Sequence, residues 1–338
     1  MDATYSIGDE LSGVGLYSRE VMWGLAAAHA DTRFRFCYRA HRYLRSWRET
    51  LPPNASRKLL GEPFGARGAQ LFHGLNQRLP ETDVPPSITT FHDLFVMTSE
   101  YSTPDFRARF TEQARDAAAR STAIIAVSEF TRQQVIACLG VNPTHVHVVH
   151  HGIRQLPHRE VKREKVILNV GAIQRRKNIA RLVEAFETVA SEWRLVLAGS
   201  NGFGSEEILS RIRRSPASGR INVLGYVSAT ELAAWYARAS IFAFPSLGEG
   251  FGMPILEAMA AGIPVLTSDR SALPEVAGGA ALLVDPEDAE GIGQSLRDLT
   301  QNQDLRRSLI ERGSARVREF TREKAVEQTW EVYRRFLG

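Results

Sequence analysis

Six short apolar runs in the second half of the chain constrain the fold more than any other feature. They are Val166–Val170, Arg194–Ala198, Asn222–Gly225, Ile241–Phe244, Val265–Ser268 and Ala281–Val284, with an amphipathic segment after each. Runs this short and continuously apolar suit strands buried on both faces, and the helical segments between them supply the cover. The expected fold class is therefore α/β with a parallel sheet. The first half shows a looser version: Thr32–Arg39, Ala69–His73, Ser87–Phe91, Ala123–Val127 and His145–His150 read as strands, and Tyr101–Arg120 as a long polar-faced helix. Ser128 is placed to cap the helix that follows Ala123–Val127.

A chain of 338 residues, 43% of them hydrophobic, can fill two cores. Arg154–Glu164, polar and basic with Pro157, is the expected linker (residues 154–164). It divides a first domain, residues 1–153, from a second, residues 165–320. A last helix, within residues 321–338, carries Val326, Trp330, Tyr333 and Leu337 at helical spacing. Cys37 and Cys138 lie far apart in apolar surroundings and read as thiols of a reducing cytoplasm. No run reaches the roughly 18 apolar residues of a spanning helix. The net charge of +4 is mildly basic. It fits anionic ligands or an anionic membrane surface but is too dispersed for nucleic acid. One basic stretch stands apart: His41–Leu51 reads as a helix with Arg42, Arg45 and Arg48 on one stripe and aromatics on others. Such a helix can lie on an anionic membrane; a partly solvated surface helix is the plainer alternative.

The chemistry concentrates between two of the strands, in Phe244–Gly262. Gly248, Gly250 and Gly252 let the backbone bend and approach a ligand closely. Pro254 suits the first position of a helix, and Gly262 its end. The unit reads as strand, glycine loop, short helix, strand, with the helix start facing the loop in a geometry that suits phosphate. Glu249 lies in the loop and Glu257 about one turn into the helix. Carboxylates beside bare N–H groups suit a hydroxylated ligand that also carries negative charge. Taken singly, each glutamate has a plainer alternative, as a cap or a solvated surface group.

A second cluster follows Val166–Val170. Asn169-Val-Gly171-Ala-Ile-Gln-Arg-Arg-Lys-Asn178 sets Arg175, Arg176 and Lys177 at a sheet's carboxyl edge, where they can meet a diphosphate. The alternative is a solvated basic turn. In the first half, Thr90-Phe-His-Asp-Leu94 places His92 at a strand end, a position that ligands of open α/β sheets visit. His147, His150 and His151 do not read as a metal site, because alternate strand residues face opposite ways and no further ligand lies at metal spacing.

The loop with Glu249 and Glu257 resembles the E-x7-E signature of retaining, GT-B-fold glycosyltransferases of family 4. The similarity runs through Pro245, Ser246, Gly250-Phe251-Gly252, Glu257-Ala-Met-Ala, Gly262 and Pro264-Val. It continues into Ser271–Val276 and Ala281–Pro286. This resemblance implies two Rossmann-like domains facing a cleft, with the last helix crossing back to the first domain. It implies transfer of a hexosyl unit, mannosyl in flavour, from a nucleoside diphosphate sugar to a glycan or lipid-linked acceptor, with retention. Within it, Arg176 and Lys177 match the family's Arg-Lys and Gly171 its motif glycine, while Gln174 and Arg175 replace its Glu-Pro. Arg176 and Lys177 would neutralise the leaving diphosphate. Amides from Gly250 through Phe251 and Gly252 to Met253 would bind sugar and phosphate. Glu249 would contact donor hydroxyls, Glu257 the ribose, and His92 the transferred sugar; His73 resembles a second family position near the cleft. Gly13 and Gly15 match the turn that approaches the donor, but the strand usual before that turn is reduced to Met-Asp-Ala, so most of the first strand is expected to be absent. No DxD motif is present, and no metal or other cofactor is expected. A glycoside hydrolase has no use for the Arg-Lys pair, and a dehydrogenase lacks its GxGxxG with a following acid. A non-catalytic sugar-nucleotide-binding or partner subunit of a polysaccharide assembly complex is the alternative.

Overall fold

The computed structural model describes residues 1–8, 11–61, 66, 68–82, 84–153 and 161–337. The chain forms two compact units, Met1–Gly152 with Phe320–Gly338, and Ile153–Glu319.

The first unit holds β1 (Phe34–Arg39), β2 (Ala55–Leu60), β3 (Phe72–Gly74), β4 (Ser87–Phe91), β5 (Ala123–Ala126) and β6 (Val146–Val148). β1 pairs with β2, and β3 to β6 pair in sequence order, all in parallel. Between the two groups lie the first residues of the chain: Asp2 bridges Cys37 of β1 in parallel and donates its N–H to the His73 carbonyl of β3, 2.9 Å. Residues 1–3 thus occupy the place of the strand expected to be mostly absent, and the order becomes β2, β1, residues 1–3, β3, β4, β5, β6. The sequence gives no sign of β2, because Ala-Ser-Arg-Lys-Leu-Leu lies at the polar edge of the sheet and buries only Leu60. The expected His41–Leu51 helix is shorter and tighter: an α-turn over Ala40–Tyr43 runs into a 3₁₀ helix over Leu44–Arg48. The last helix, Arg322–Arg334, starts at the Thr321 cap and places Val326, Val332 and Tyr333 in this unit's core.

The second unit holds β7 (Val166–Val170), β8 (Arg194–Ala198), β9 (Ile221–Gly225), β10 (Ile241–Phe244), β11 (Val265–Ser268) and β12 (Leu282–Val284). Every pairing is parallel, in the order β12, β11, β10, β7, β8, β9. This is the doubly wound order, with its reversal between β7 and β10, and ligands bind such sheets outside the carboxyl ends of the strands at that reversal. β10 and β11 are buried along their whole length, which explains runs without polar alternation. Residues 154–160 of the expected linker lie outside the described residues. Its end is already part of the second unit, since Arg163 donates to the Ala239 carbonyl at 2.5 Å and the Glu164 N–H to the Arg238 carbonyl at 2.8 Å.

Candidate functional site

The reversal between β7 and β10 brings together the two clusters that are 72 residues apart in sequence. Lys177 Nζ donates to Glu249 Oε1 at 2.6 Å, and Arg176 Nη1 to Glu249 Oε2 at 2.9 Å. Ser246 Oγ adds a third bond, to Oε1 at 2.6 Å. Arg176 also reaches the Gly248 carbonyl, while its own carbonyl receives the Leu247 N–H at 2.8 Å. Lys177 is 9% exposed and Glu249 7%. Burial on its own would raise the Glu249 pKa; Arg176 and Lys177 outweigh it and hold the carboxyl at about 2. The three groups form a fixed assembly with one net positive charge at the mouth of the sheet.

The expected basic trio does not act as a trio. Arg175 turns away to grip Glu207 through both carboxylate oxygens, at 2.8 and 2.7 Å, with its guanidinium over the Phe203 ring. Lys177 instead lies with Nζ 4.7 Å from the centre of the Phe244 ring. Its stem passes over Gly171, where a Cβ would sit 3.2 Å from Lys177 Cε on a backbone held at φ +149°. Gly171 therefore shapes the lysine's path.

Gly252 has φ +110° and ends the loop, but Gly248 and Gly250 are absent from the left-handed region. A Cβ on Gly252 would lie 2.7 Å from Leu273 Cδ2. The helix that follows spans Met253–Ala260, with Pro254 in its first turn. That turn carries N–H groups for which an α-helix offers no internal partner. Gly250 and Phe251 are buried in the approach to it, and Met253 is half-buried. Glu257 is also buried, at 9% exposed, and accepts from the Tyr236 hydroxyl at 2.8 Å. Burial, then the Glu257 charge, pushes the Tyr236 phenol well above its ordinary range, so it stays a donor to that carboxylate.

Three polar residues that the sequence reading gave no role of their own hold this loop in place. Asn178 sits at φ +57° and donates to the Pro245 carbonyl at 3.0 Å and the Pro286 carbonyl at 2.6 Å, tying together the loops after β7, β10 and β12. Ser271, at φ +58°, accepts the Glu249 N–H at 3.0 Å. Ser268 Oγ donates to the Ser246 carbonyl at 2.5 Å. The only available signal was an Asn immediately before a helix, which suggests a cap, yet the Asn178 side chain caps nothing.

In the first unit His92 follows β4 directly. Its Nε2–H donates to the Leu75 carbonyl at 3.0 Å, which leaves Nδ1 as the acceptor nitrogen. The His151 ring stacks on it at 5.5 Å, and Tyr17 meets both histidines edge-on at 4.8 Å. Burial lowers the pKa of His92 and, further, of His151, so both rings are neutral. Sequence reasoning missed Tyr17 and His151 as part of this cluster, because only the fold brings the three rings together. Gly13 is exposed at the start of the Gly13–Ala28 helix, with no atom within 4 Å of the position its Cβ would take. Gly15 is buried, and a Cβ there would lie 2.5 Å from the Tyr5 carbonyl oxygen. His73 is not a ligand-facing residue: 1% exposed, it shares hydrogen bonds with Tyr333 at 2.5 Å and Thr90 at 2.8 Å. Thr90 in turn meets the Tyr17 hydroxyl at 3.0 Å. Burial drives His73 down to about 3.

Comparison with known proteins adds to this geometry. A family model described as glycosyl transferases group 1 matches residues 155–316, and one described as glycosyltransferase family 4 matches residues 66–154. The chain is 30% identical over 282 residues to the O-antigen chain mannosyltransferase B of Escherichia coli, covering 78% of this chain and 74% of that one. Among solved structures it is similar to a sucrose-phosphate synthase from Thermosynechococcus elongatus, with a TM-score of 0.79 at 20% identity over 99% of this chain and 97% of that one. It is similar also to Anabaena Alr3699/HepE in complex with UDP and glucose, with a TM-score of 0.74 at 16% identity over 97% of each chain.

Proposed function

This chain belongs to the family 4 glycosyltransferases, with the α/β fold of parallel sheets that the GT-B members share, and from that premise we propose that it transfers a hexosyl unit, mannosyl by the name of its O-antigen relative, from a nucleoside diphosphate sugar to a glycan or lipid-linked acceptor. The observation that carries this reading is the assembly of Arg176, Lys177 and Glu249 at the reversal of the second sheet. As the bond from the anomeric carbon to the diphosphate breaks, negative charge grows on the leaving phosphate. Two cations already fixed in place stabilise that charge without reorganising, which is the most effective form of electrostatic catalysis. Their fixity comes from Glu249. A carboxylate offers about four lone-pair sites, and three are taken by Lys177, Arg176 and Ser246. One site on Oε2 remains for a donor hydroxyl, so Glu249 both holds the cations and touches the sugar.

The reaction we propose retains configuration. The acceptor oxygen attacks the face the diphosphate leaves, the acceptor's proton passes to the departing phosphate oxygen, and the new glycosidic bond replaces the old one. With Arg176 and Lys177 supplying positive charge, the step needs no metal. Glu257, its carboxylate held by Tyr236, would take the ribose hydroxyls, and the amides from Gly250 to Met253 the sugar and phosphate. His92, neutral and with Nδ1 free to accept, suits a hydroxyl of the transferred sugar. A lipid-borne acceptor would hold the protein at the cytoplasmic face of a membrane; among the described residues no helix is long and apolar enough to cross one.

The test is thermal stabilisation by GDP, UDP and their sugar conjugates, followed by transfer of labelled sugar with the responding donor. A ligand at a hundred times its dissociation constant adds about 2.7 kcal/mol. Stabilisation by one base, lost in Lys177→Ala, is the expected result. A folded protein that answers to none of the panel would overturn the reading in favour of a non-catalytic subunit.

A further inference from the structure

The first unit carries an exposed apolar and basic corner that the transfer reaction does not use. Leu44 is 80% exposed and Trp47 63%, the two highest values among the described large hydrophobic residues. Both lie on the 3₁₀ helix that follows β1. At three residues per turn, side chains three apart stand directly above one another. One face of this helix is therefore Leu44 with Trp47, and the next is Arg45 with Arg48, both exposed. The third face points inward: Ser46 is fully buried and its hydroxyl donates to the Tyr43 carbonyl at 2.6 Å. Arg42 lies half-exposed on the preceding turn, beside Gly8.

The corner is rigid. Arg57 donates to the Ser46 carbonyl at 3.0 Å and to the Glu49 carbonyl, and its guanidinium lies over the Trp47 ring at 5.1 Å. The one acidic side chain of the stretch, Glu49, is engaged by Arg19 at 2.8 Å and does not offset the outward arginines. A Leu and a Trp held out into water beside three arginines match one partner chemically. Trp settles at the boundary between headgroups and acyl chains, and arginines rest on anionic headgroups. The corner also stands at the carboxyl end of β1, with Arg42 beside Gly8, which precedes the Gly13–Ala28 helix in the chain. That helix carries Tyr17 against His92, so corner and histidine cluster share one edge of the sheet.

We propose that this corner docks the protein on an anionic phospholipid surface, Leu44 and Trp47 entering the interface and Arg42, Arg45 and Arg48 lying on the headgroups. The inference rests on the glycosyl-transfer reading only for its purpose, delivery of a lipid-borne acceptor; the binding itself is independent. Each arginine near an anionic leaflet is worth about a fivefold gain in partitioning, so three give on the order of a hundredfold.

The full chain would be floated with phosphatidylcholine vesicles with and without phosphatidylglycerol, at low and high salt. Binding to the anionic vesicles alone, weakened by salt, is expected. The double variant Leu44→Glu/Trp47→Glu should lose at least about tenfold in partitioning, and Arg45→Glu/Arg48→Glu as much. Brominated lipids should quench wild-type tryptophan fluorescence and not that of Trp47→Phe. Circular dichroism and the nucleotide-induced melting shift, unchanged in these variants, separate loss of docking from loss of fold or of donor binding. Wild type that stays off anionic vesicles, variants that bind as well as wild type, or a Leu44- and Trp47-dependent dimer without vesicle binding would each overturn the proposal.

Discussion

Replacing Glu249 with Gln removes an anionic partner of the buried Lys177 and the half-buried Arg176 while keeping the side chain's shape. The wild-type carboxyl lies at about 2 against an ordinary 4.5, which at about 1.4 kcal/mol per pH unit is a contribution of roughly 3 kcal/mol to stability. Breaking a buried pair from one side costs about 3–5 kcal/mol by an independent route, because the partner charges stay buried without it. Both estimates agree on about 3–4 kcal/mol at pH 7. The sign follows from the depressed pKa. In the unfolded chain Glu249 takes up its proton near 4.5, so the stabilisation is complete above that value and drains away as pH falls toward 2. Urea denaturation of wild type and Glu249→Gln between pH 7 and pH 2 reads this directly. The gap between the two should be about 3 kcal/mol at pH 7 and narrow steadily below 4.5. Pyrophosphate should restore part of the variant's lost stability, because it binds the folded state and adds negative charge beside Arg176 and Lys177. Equal stabilities at pH 7, or a gap that pH does not change, would refute the account of Glu249 as the residue that fixes Arg176 and Lys177.

The structure separates neighbouring arginines, so Arg175→Ala should alter nucleotide-induced stabilisation and transfer rate less than about twofold, whereas Lys177→Ala should lower the rate by about a hundredfold or more, measured with labelled donor. Gly252→Ala should cost about 2 kcal/mol or more in urea denaturation, since its Cβ meets Leu273 on a backbone at φ +110°. Tyr333→Phe should cost about 1–3 kcal/mol by leaving the buried His73 nitrogen without its partner. The neutral His73, at about 3 when folded against an ordinary 6.5, makes wild-type stability fall as pH drops from 6.5 toward 3. His73→Gln should lack that component of the slope, which titrated urea melts would detect.

Val166–Val170, Ile241–Phe244 and Val265–Ser268 fold as read, because a parallel strand covered on both faces must be apolar throughout, whereas the more exposed strands Ile221–Gly225 and Leu282–Val284 each start one residue away from the reading. The candidate motif residues were picked out by their resemblance to a family, and the structure brings Glu249, Arg176 and Lys177 into contact. β2 was not, because a polar edge strand carries no alternation for a sequence to display. Nor was the 3₁₀ turn over Leu44–Arg48, because the three-residue spacing of Arg42, Arg45 and Arg48 also fits one face of an α-helix. The sequence could name Glu249, Arg176 and Lys177 but could not say that they touch. Pairing between loops 72 residues apart depends on which strands become neighbours, and only the parallel order that sets β7 beside β10 decides that. The same holds for Arg175, which adjacent identity would group with Arg176 and which Glu207 draws away. It holds too for Asn178, an unremarkable residue in sequence whose left-handed backbone places one amide between two distant carbonyls. Composition and pattern determined which elements form, because burial acts on each segment locally; the contacts that make a site were decided by chain topology, because they join groups that local physics never brings together.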